Sequence, residues 1–170
     1  MPSIRAAEAR DAEAIAAIYA HHVLHGTASF ELEPPSADFW RNKIQTVRAR
    51  SWPFLVSEAD GEVVAYAYAT QFRDRPAYAW TCENSIYVQA DRIGQGIGRP
   101  LLEALIEAAR EAGFRQMIAV VGGGEPASVA LHQRCGFREA GRMKTVGFKF
   151  GKWLDTVYMQ RSLIGEDQAG

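Results

Sequence analysis

Apolar residues recur along this chain at two different spacings, and the changes from one to the other mark its elements. Ile15, Ile18, Tyr19 and Val23 fall three and four residues apart, which lines one face of a helix; Asp11 stands where a cap belongs and Gly26 stops the run. The same period returns in Phe39, Trp40, Ile44 and Val47 behind the cap Ser36, and again in Ile97, Leu101, Leu102, Leu105, Ile106 and Ala109 ahead of Gly113. Elsewhere the chain alternates or runs apolar without a break, as strands do. Residues 3–6 make a short first strand. Residues 54–58 and 63–69 flank Ala59-Asp60-Gly61-Glu62, whose Asp-Gly step predicts a hairpin of antiparallel neighbours. Residues 80–88 form a further strand, and 116–121 read as a strand buried on both faces, so the helix between them makes a right-handed parallel unit. Gly122, Gly123 and Gly124 loosen the chain before a short helix over 126–134, with Pro126 at its first position. From 137 to 163, alternation around Val146, Phe148, Phe150, Val157 and Met159 predicts more strands. Two intervals resist both spacings. Pro34 and Pro35 bar a helix over 27–35, and Arg73, Arg75 and Pro76 bar a strand centre over 72–78, so both are loops.

The 170 residues suit one domain, expected over 1–165 with 166–170 as a frayed tail. A net charge of −1 gives no basic face for nucleic acid or an anionic membrane. Cys82 and Cys135 lack the spacing of a zinc or redox motif, so no metal is expected and both read as reduced thiols of a cytoplasmic protein. The beginning of the chain has no basic-then-apolar signal pattern, and no apolar run reaches membrane-spanning length.

The chemistry gathers around residues 81–102. A strand ends near Val88, Gly94, Gly96 and Gly98 follow at alternate positions, and a helix begins around Pro100. Glycines let the backbone approach a ligand closely, and the free N–H groups of a helix start favour an anion, so this turn is suited to phosphate. Glu83 interrupts an apolar strand, as a surface-edge residue or as a carboxylate held in a cleft. His132 is a lone histidine on a short helix, and such residues are more often packing than catalytic. Arg73 and Arg75 are either an exposed basic loop or a guanidinium fork for a carboxylate. His21, His22 and His25 read as solvated or capping residues near a helix end.

The order of elements resembles the GNAT-type N-acetyltransferases, an α/β fold with a central twisted mixed sheet flanked by helices. The resemblance sharpens toward the phosphinothricin and methionine sulfoximine N-acetyltransferase branch. It is carried by Thr27-Ala28-Ser29-Phe30-Glu31, Arg75-Pro76-Ala77-Tyr78, Thr81-Cys82-Glu83-Asn84-Ser85-Ile86-Tyr87-Val88, Ser128 with Leu131-His132, Gly136-Phe137, and Val146-Gly147-Phe148-Lys149-Phe150-Gly151-Lys152-Trp153-Leu154-Asp155. It implies acetyl-CoA as co-substrate. The backbone of Ile86, Tyr87 and Val88 would pair with the pantetheine arm, and Ile93, Gly94, Gln95, Gly96, Ile97, Gly98 and Arg99 would cradle the pyrophosphate, with Ser128 and the position of Glu125 also at the cofactor. Two positions depart from the family pattern. Ile93 stands where Arg or Gln is usual, and Glu125 stands where Asn is usual and sets an anion near an anionic cofactor.

The resemblance further implies Glu83 as general base and His132 as an acid for the departing thiolate or a second base. A backbone N–H near Val88 would meet developing oxyanion charge. Arg75, with Arg73 behind it, is expected to grip a substrate carboxylate, and Phe30, Tyr78 and Trp80 to line an acceptor pocket, with Phe148 and Trp153 as further aromatic candidates. The reaction expected is direct transfer to the α-amine of a small amino-acid-like substrate, with Glu31 disfavouring an anionic phosphinate tail, and the assembly expected is a homodimer. An acetyltransferase for peptide or protein amines is the nearest alternative, and a non-catalytic acyl-CoA sensor the more distant one.

Overall fold

The computed structural model describes residues 2–165, which leaves the expected tail at 166–170 outside the described residues. The elements follow in the order β1 (Ser3–Ala6), α1 (Ala12–His25), α2 (Ala37–Ala49), β2 (Phe54–Ala59), β3 (Glu62–Gln71), β4 (Thr81–Val88), α3 (Gly98–Glu111), β5 (Gln116–Gly122), α4 (Pro126–Arg134), β6 (Arg138–Lys149) and β7 (Lys152–Ser162). The strands form one seven-stranded sheet in the order β1-β2-β3-β4-β5-β7-β6. Each pair is antiparallel except β4 with β5. That parallel pair encloses α3, as the apolar spacing predicts.

Burial on both faces holds the layers together. Ile15, Val23, Trp40, Ile44 and Val47 pack from α1 and α2 onto Phe54, Val56 and Tyr66. On the other face Leu101, Leu102, Leu105 and Ala109 of α3 pack onto Met117, Ala119 and Met159. Each fully buried aliphatic side chain contributes roughly 1.5–3 kcal/mol. The Asp-Gly hairpin is present, with positive φ at both Asp60 and Gly61, a twist that matches the flanking strands.

Two expectations for the helices need correction. Ser36 caps α2 by accepting the Phe39 N–H at 3.2 Å, but Phe39 itself is 46% exposed, because Trp40 takes the inward position beside Tyr19 and Tyr66. Asp11 does not cap α1 through its side chain. Its carboxylate accepts the Glu8 N–H at 2.8 Å and pairs at 2.8 Å with Arg5, which also reaches Glu58 at 2.8 Å. The residue that would start a helix instead ties it to β1 and β2.

The feature that creates a site is the limited pairing of β4 with β5. Their register runs from Thr81 opposite Gln116 to Asn84 opposite Ala119 and stops there. Beyond that point β4 stays with β3, while Val120, Val121 and Gly122 stay with β7. The strands part, and a wedge opens through the sheet with its apex at Asn84.

Candidate active site

The wedge is a cavity of about 490 Å³ whose walls are Ser85, Ile86 and Tyr87 on one strand and Val120, Val121 and Gly122 on the other. Tyr19 of α1 and the loop 28–31 bound it on one face, Ser128 and His132 of α4 on the other. A larger concavity of about 720 Å³ lies between α1 and the β2–β3 hairpin, around Arg5, Asp11 and Glu58. Those charges already pair with one another, and none of the site residues expected from the sequence lines it.

On the α1 face, Glu83 lines the wedge half-buried, with Arg73 Nη1 at 3.8 Å from its Oε1. Burial raises the Glu83 pKa, against the pull of the Arg73 and Lys43 charges. Arg73 lies over the Phe72 ring at 4.0 Å, and Lys43 of α2 sits 5.3 Å from the Tyr68 ring centre. Among the described residues no ion pair joins Arg75 to Glu83. Of the expected acceptor aromatics only Phe30 lines the cavity. Tyr78 packs on Phe72 in the turn after β3. Trp80 is 61% exposed at the far end of β4, where its carbonyl accepts the Arg115 N–H at 2.7 Å. The parallel register with β5 fixes that placement, since Thr81 lies opposite Gln116 at the start of both strands. Phe148 and Trp153 pack on each other, exposed, near the β6–β7 turn.

The loop 27–31 is a strap keyed into a seat. A Cβ at Gly147 would come within 2.4 Å of the Phe30 ring, one at Gly122 within 2.6 Å of the Ala28 carbonyl oxygen, and one at Gly123 within 2.7 Å of the Thr27 hydroxyl. Lys149, 3% exposed, donates to the Ser29 carbonyl at 2.7 Å. The Tyr19 hydroxyl accepts from the Ser29 hydroxyl at 2.7 Å and donates to Glu31 Oε1 at 3.1 Å, which holds the Glu31 carboxylate at the cavity wall. Strand β6 makes room for Phe30 by bulging between Met143 and Gly147. Within the bulge Thr145 takes a φ of +53°, uncommon for a β-branched residue, and Asp155 pins it by accepting its N–H at 2.9 Å and an Arg142 N–H at 3.1 Å.

The α4 face and the wedge mouth are built differently. Gly94 and Gly96 have φ of +84° and +77°, and a Cβ on either would meet nothing within 4 Å, so the turn borders open space. The first turn of α3 has no side-chain cap, which leaves its N–H groups free to meet an anion. Gln95 folds back onto the Asp91 carbonyl at 3.1 Å, Arg99 pairs with Glu103 at 2.8 Å, and Ile93 is exposed. Glu125 caps α4, accepting from the N–H groups of Ala127 at 3.2 Å and Ser128 at 2.8 Å. Its charge is thus directed into the start of a helix.

Of the two histidines beside the wedge, the sequence singles out His132 but not His22. His22 is half-buried rather than solvated, with Nε2 bonded to the Val88 carbonyl at 2.7 Å and its ring beside Tyr87; burial pushes its pKa down. His132 is 2% exposed; Nδ1 lies 2.7 Å from the Ser128 carbonyl oxygen and Nε2 lies 3.0 Å from Asn84 Nδ2. Burial lowers its pKa as well. Among the described residues no group of three or more His, Cys, Asp or Glu is placed to hold a metal, and no helix is long and apolar enough to cross a membrane.

A sheet split beside a glycine turn and an uncapped helix start suits a long, phosphate-bearing acyl carrier, and comparison with known proteins agrees. Residues 4–158 match the acetyltransferase (GNAT) domain family. The chain belongs to the GNAT acetyltransferases. Phosphinothricin N-acetyltransferase of Alcaligenes faecalis is 50% identical over 166 residues, covering 97% of this chain and 84% of that protein. The L-methionine sulfoximine/L-methionine sulfone acetyltransferase of Pseudomonas aeruginosa is 41% identical over 162 residues, covering 95% of this chain and 94% of that one. A GNAT superfamily phosphinothricin acetyltransferase from Sinorhizobium meliloti, solved in complex with AcCoA, superposes with a TM-score of 0.95 at 44% identity, covering 99% of this chain and 91% of the other. The seven-stranded split sheet is therefore the GNAT fold, and the enzyme is an N-acetyltransferase.

Proposed function

We propose that this GNAT enzyme transfers the acetyl group of acetyl-CoA directly to the α-amine of a small amino-acid-like substrate of the methionine sulfone, methionine sulfoximine or phosphinothricin type. The observation that carries this reading is the Glu83 carboxylate on the wall of a cavity that runs along the unpaired edge of β4 to the strap. Acetyl-CoA supplies an activated thioester. The open turn at Gly94 and Gly96, the free N–H groups of α3 and the unpaired β4 edge at Ile86, Tyr87 and Val88 fit its pyrophosphate and pantetheine. On the opposite face Glu83 takes a proton from the substrate ammonium, which frees the nitrogen lone pair. As the C–N bond forms and the C–S bond breaks, the second nitrogen proton ends on the CoA sulfur. A backbone N–H on the unpaired edge of β4, beyond the stretch that meets the pantetheine, stabilises charge on the acyl oxygen.

Direct transfer is supported by the thiols. Cys82 is fully buried, its pKa pushed up to about 12 chiefly by burial, and Cys135 is buried and raised too, so neither is a ready nucleophile. Arg73, beside Glu83, is the cation best placed for the substrate carboxylate. Glu31, held at the wall by Tyr19, favours a neutral sulfonyl tail over an anionic phosphinate. The strap over the cavity supports a small acceptor rather than a protein chain. Exposed Phe148, Phe150 and Trp153 support a homodimer, checked by light scattering at micromolar concentration. The deciding experiment measures CoA release with a panel of amino acids and their sulfone, sulfoximine and phosphinate analogues. Turnover of methionine sulfone above phosphinothricin is expected; a clear preference for phosphinothricin overturns the role given to Glu31, and no turnover of any member overturns the substrate class.

A further inference from the structure

His132 and Asn84 face each other inside the wedge, and their hydrogen bonds fix the proton positions. A peptide carbonyl can only accept, so the 2.7 Å contact with the Ser128 oxygen requires a proton on His132 Nδ1. In the neutral ring Nε2 is then an acceptor, and the Asn84 amide must turn an N–H toward it. Burial disfavours the imidazolium that would reverse this arrangement. The ring therefore has both nitrogens engaged and no spare proton to deliver. Asn84, by contrast, lines the cavity at the last paired position before the strands part, and it is only 6% exposed. With one N–H spent on His132, its second N–H and its oxygen remain for whatever fills the apex.

We propose that Asn84 is a catalytic residue whose side-chain amide meets the thioester end of the acyl donor at the wedge apex, and that His132 is the positioning residue that fixes this amide. This rests on the acetyl-CoA reading of the wedge. The amide edge of a buried asparagine is a preorganised dipole at the low-dielectric apex of the wedge, where one donor aimed at developing charge carries far more weight than it does in solvent. His132 holds the edge still: Ser128 sets the tautomer, the tautomer sets the direction of the amide, and the T-shaped contact with Phe137 fixes the ring plane. Direct transfer needs no added proton from His132, since the nitrogen of the acceptor already carries the one that the sulfur receives.

Long-range nitrogen–proton NMR on protein with labelled histidine tests the arrangement without turnover. The expected result is His132 as the neutral Nδ1–H tautomer at neutral pH, alone and with acetyl-CoA bound; an imidazolium or an Nε2–H tautomer overturns the proposal. Kinetics test the roles. Asn84→Ala is expected to lower kcat about 10²–10³-fold, the usual range for one lost donor of this kind, with acetyl-CoA affinity by calorimetry nearly unchanged. His132→Ala is expected to lose less, and the double variant no more than Asn84→Ala alone. His132→Gln keeps an acceptor near the Nε2 position but holds no titratable proton. It should recover at least about tenfold over His132→Ala, taking about 1.4 kcal/mol per tenfold. Failure of that rescue, or additive single losses, assigns His132 the acid role and overturns ours. If wild-type protein does not bind acetyl-CoA at all, the reading of the wedge has failed instead.

Discussion

The two sides of the wedge are made of different material. At its mouth the site is main chain: positive-φ glycines, the free N–H groups of α3 and an unpaired strand edge, with side chains such as Gln95, Arg99 and Glu125 turned onto neighbouring groups. On the α1 face it is side chains brought from four distant segments, with Tyr19, Phe30, Glu83 and Lys149 meeting across the strap. A surface made of backbone tolerates unusual residues, which is how Ile93 and Glu125 fit it. A surface made of interlocked side chains does not, and on the proposed reading it is where acceptor choice would reside.

The sharpest break between the sides is Glu83→Gln. Loss of the base should lower kcat by about two to four orders of magnitude, with acetyl-CoA affinity by calorimetry unchanged; a rate near wild type places the base elsewhere. Next comes Gly147→Ala, whose methyl would displace Phe30 and with it the strap. We expect the acceptor KM to rise about tenfold to a hundredfold, in line with the cost of small misplacements, again without change at the donor site. Lys149→Met should act in the same direction from the other anchor, together with faster amide exchange over 27–31. If either variant instead weakens acetyl-CoA binding, the two sides are not separable.

Gly96→Val is the converse. It puts a β-branched side chain at a φ of +77° and into the space open for phosphate. The acetyl-CoA Kd should rise about tenfold, the strain alone being about 1–2 kcal/mol, while the acceptor KM holds. The smallest effect is on pH. In the proposed role Glu83 acts deprotonated; since burial raises its pKa, activity should fall as pH drops through a limb above the ordinary carboxylate range. Arg73→Ala removes an opposing charge and should move that limb further up by a fraction of a pH unit; Arg75→Ala should leave it in place. A shift in the second variant and not the first would exchange the two arginines.

The legible parts of the molecule were the local ones. The glycine turn, the Asp-Gly hairpin and α3 with its stop at Gly113 depend on neighbours within a few residues, so spacing carries them. Glu83 stands out because a carboxylate interrupts an apolar strand. What spacing could not carry was register. Trp80 sits two residues from Cys82 in sequence, yet the parallel pairing with β5 sends it to the end remote from the wedge. Phe39 and Trp40 both suit a helix stripe, and only contact with Tyr19 and Tyr66 decides which turns inward. Asn84, His22, Gly147 and Lys149 take their meaning from partners 48 to 120 residues away. Lys149 did leave a trace, a charge between Phe148 and Phe150 in an alternating strand, but nothing nearby in sequence could balance it.

The split in the sheet also bears on traffic. On the proposed reading, a cavity bounded by α1 and the strap on one face and by α4 on the other would give the two substrates separate approaches, so that neither would have to wait behind its partner or leave before it. The order of arrival is then a matter of relative affinity and concentration rather than of steric queueing. If transfer is direct, as proposed, initial rates should follow a ternary-complex pattern with intersecting double-reciprocal lines, and throughput would be set by whichever entrance is emptier at the moment.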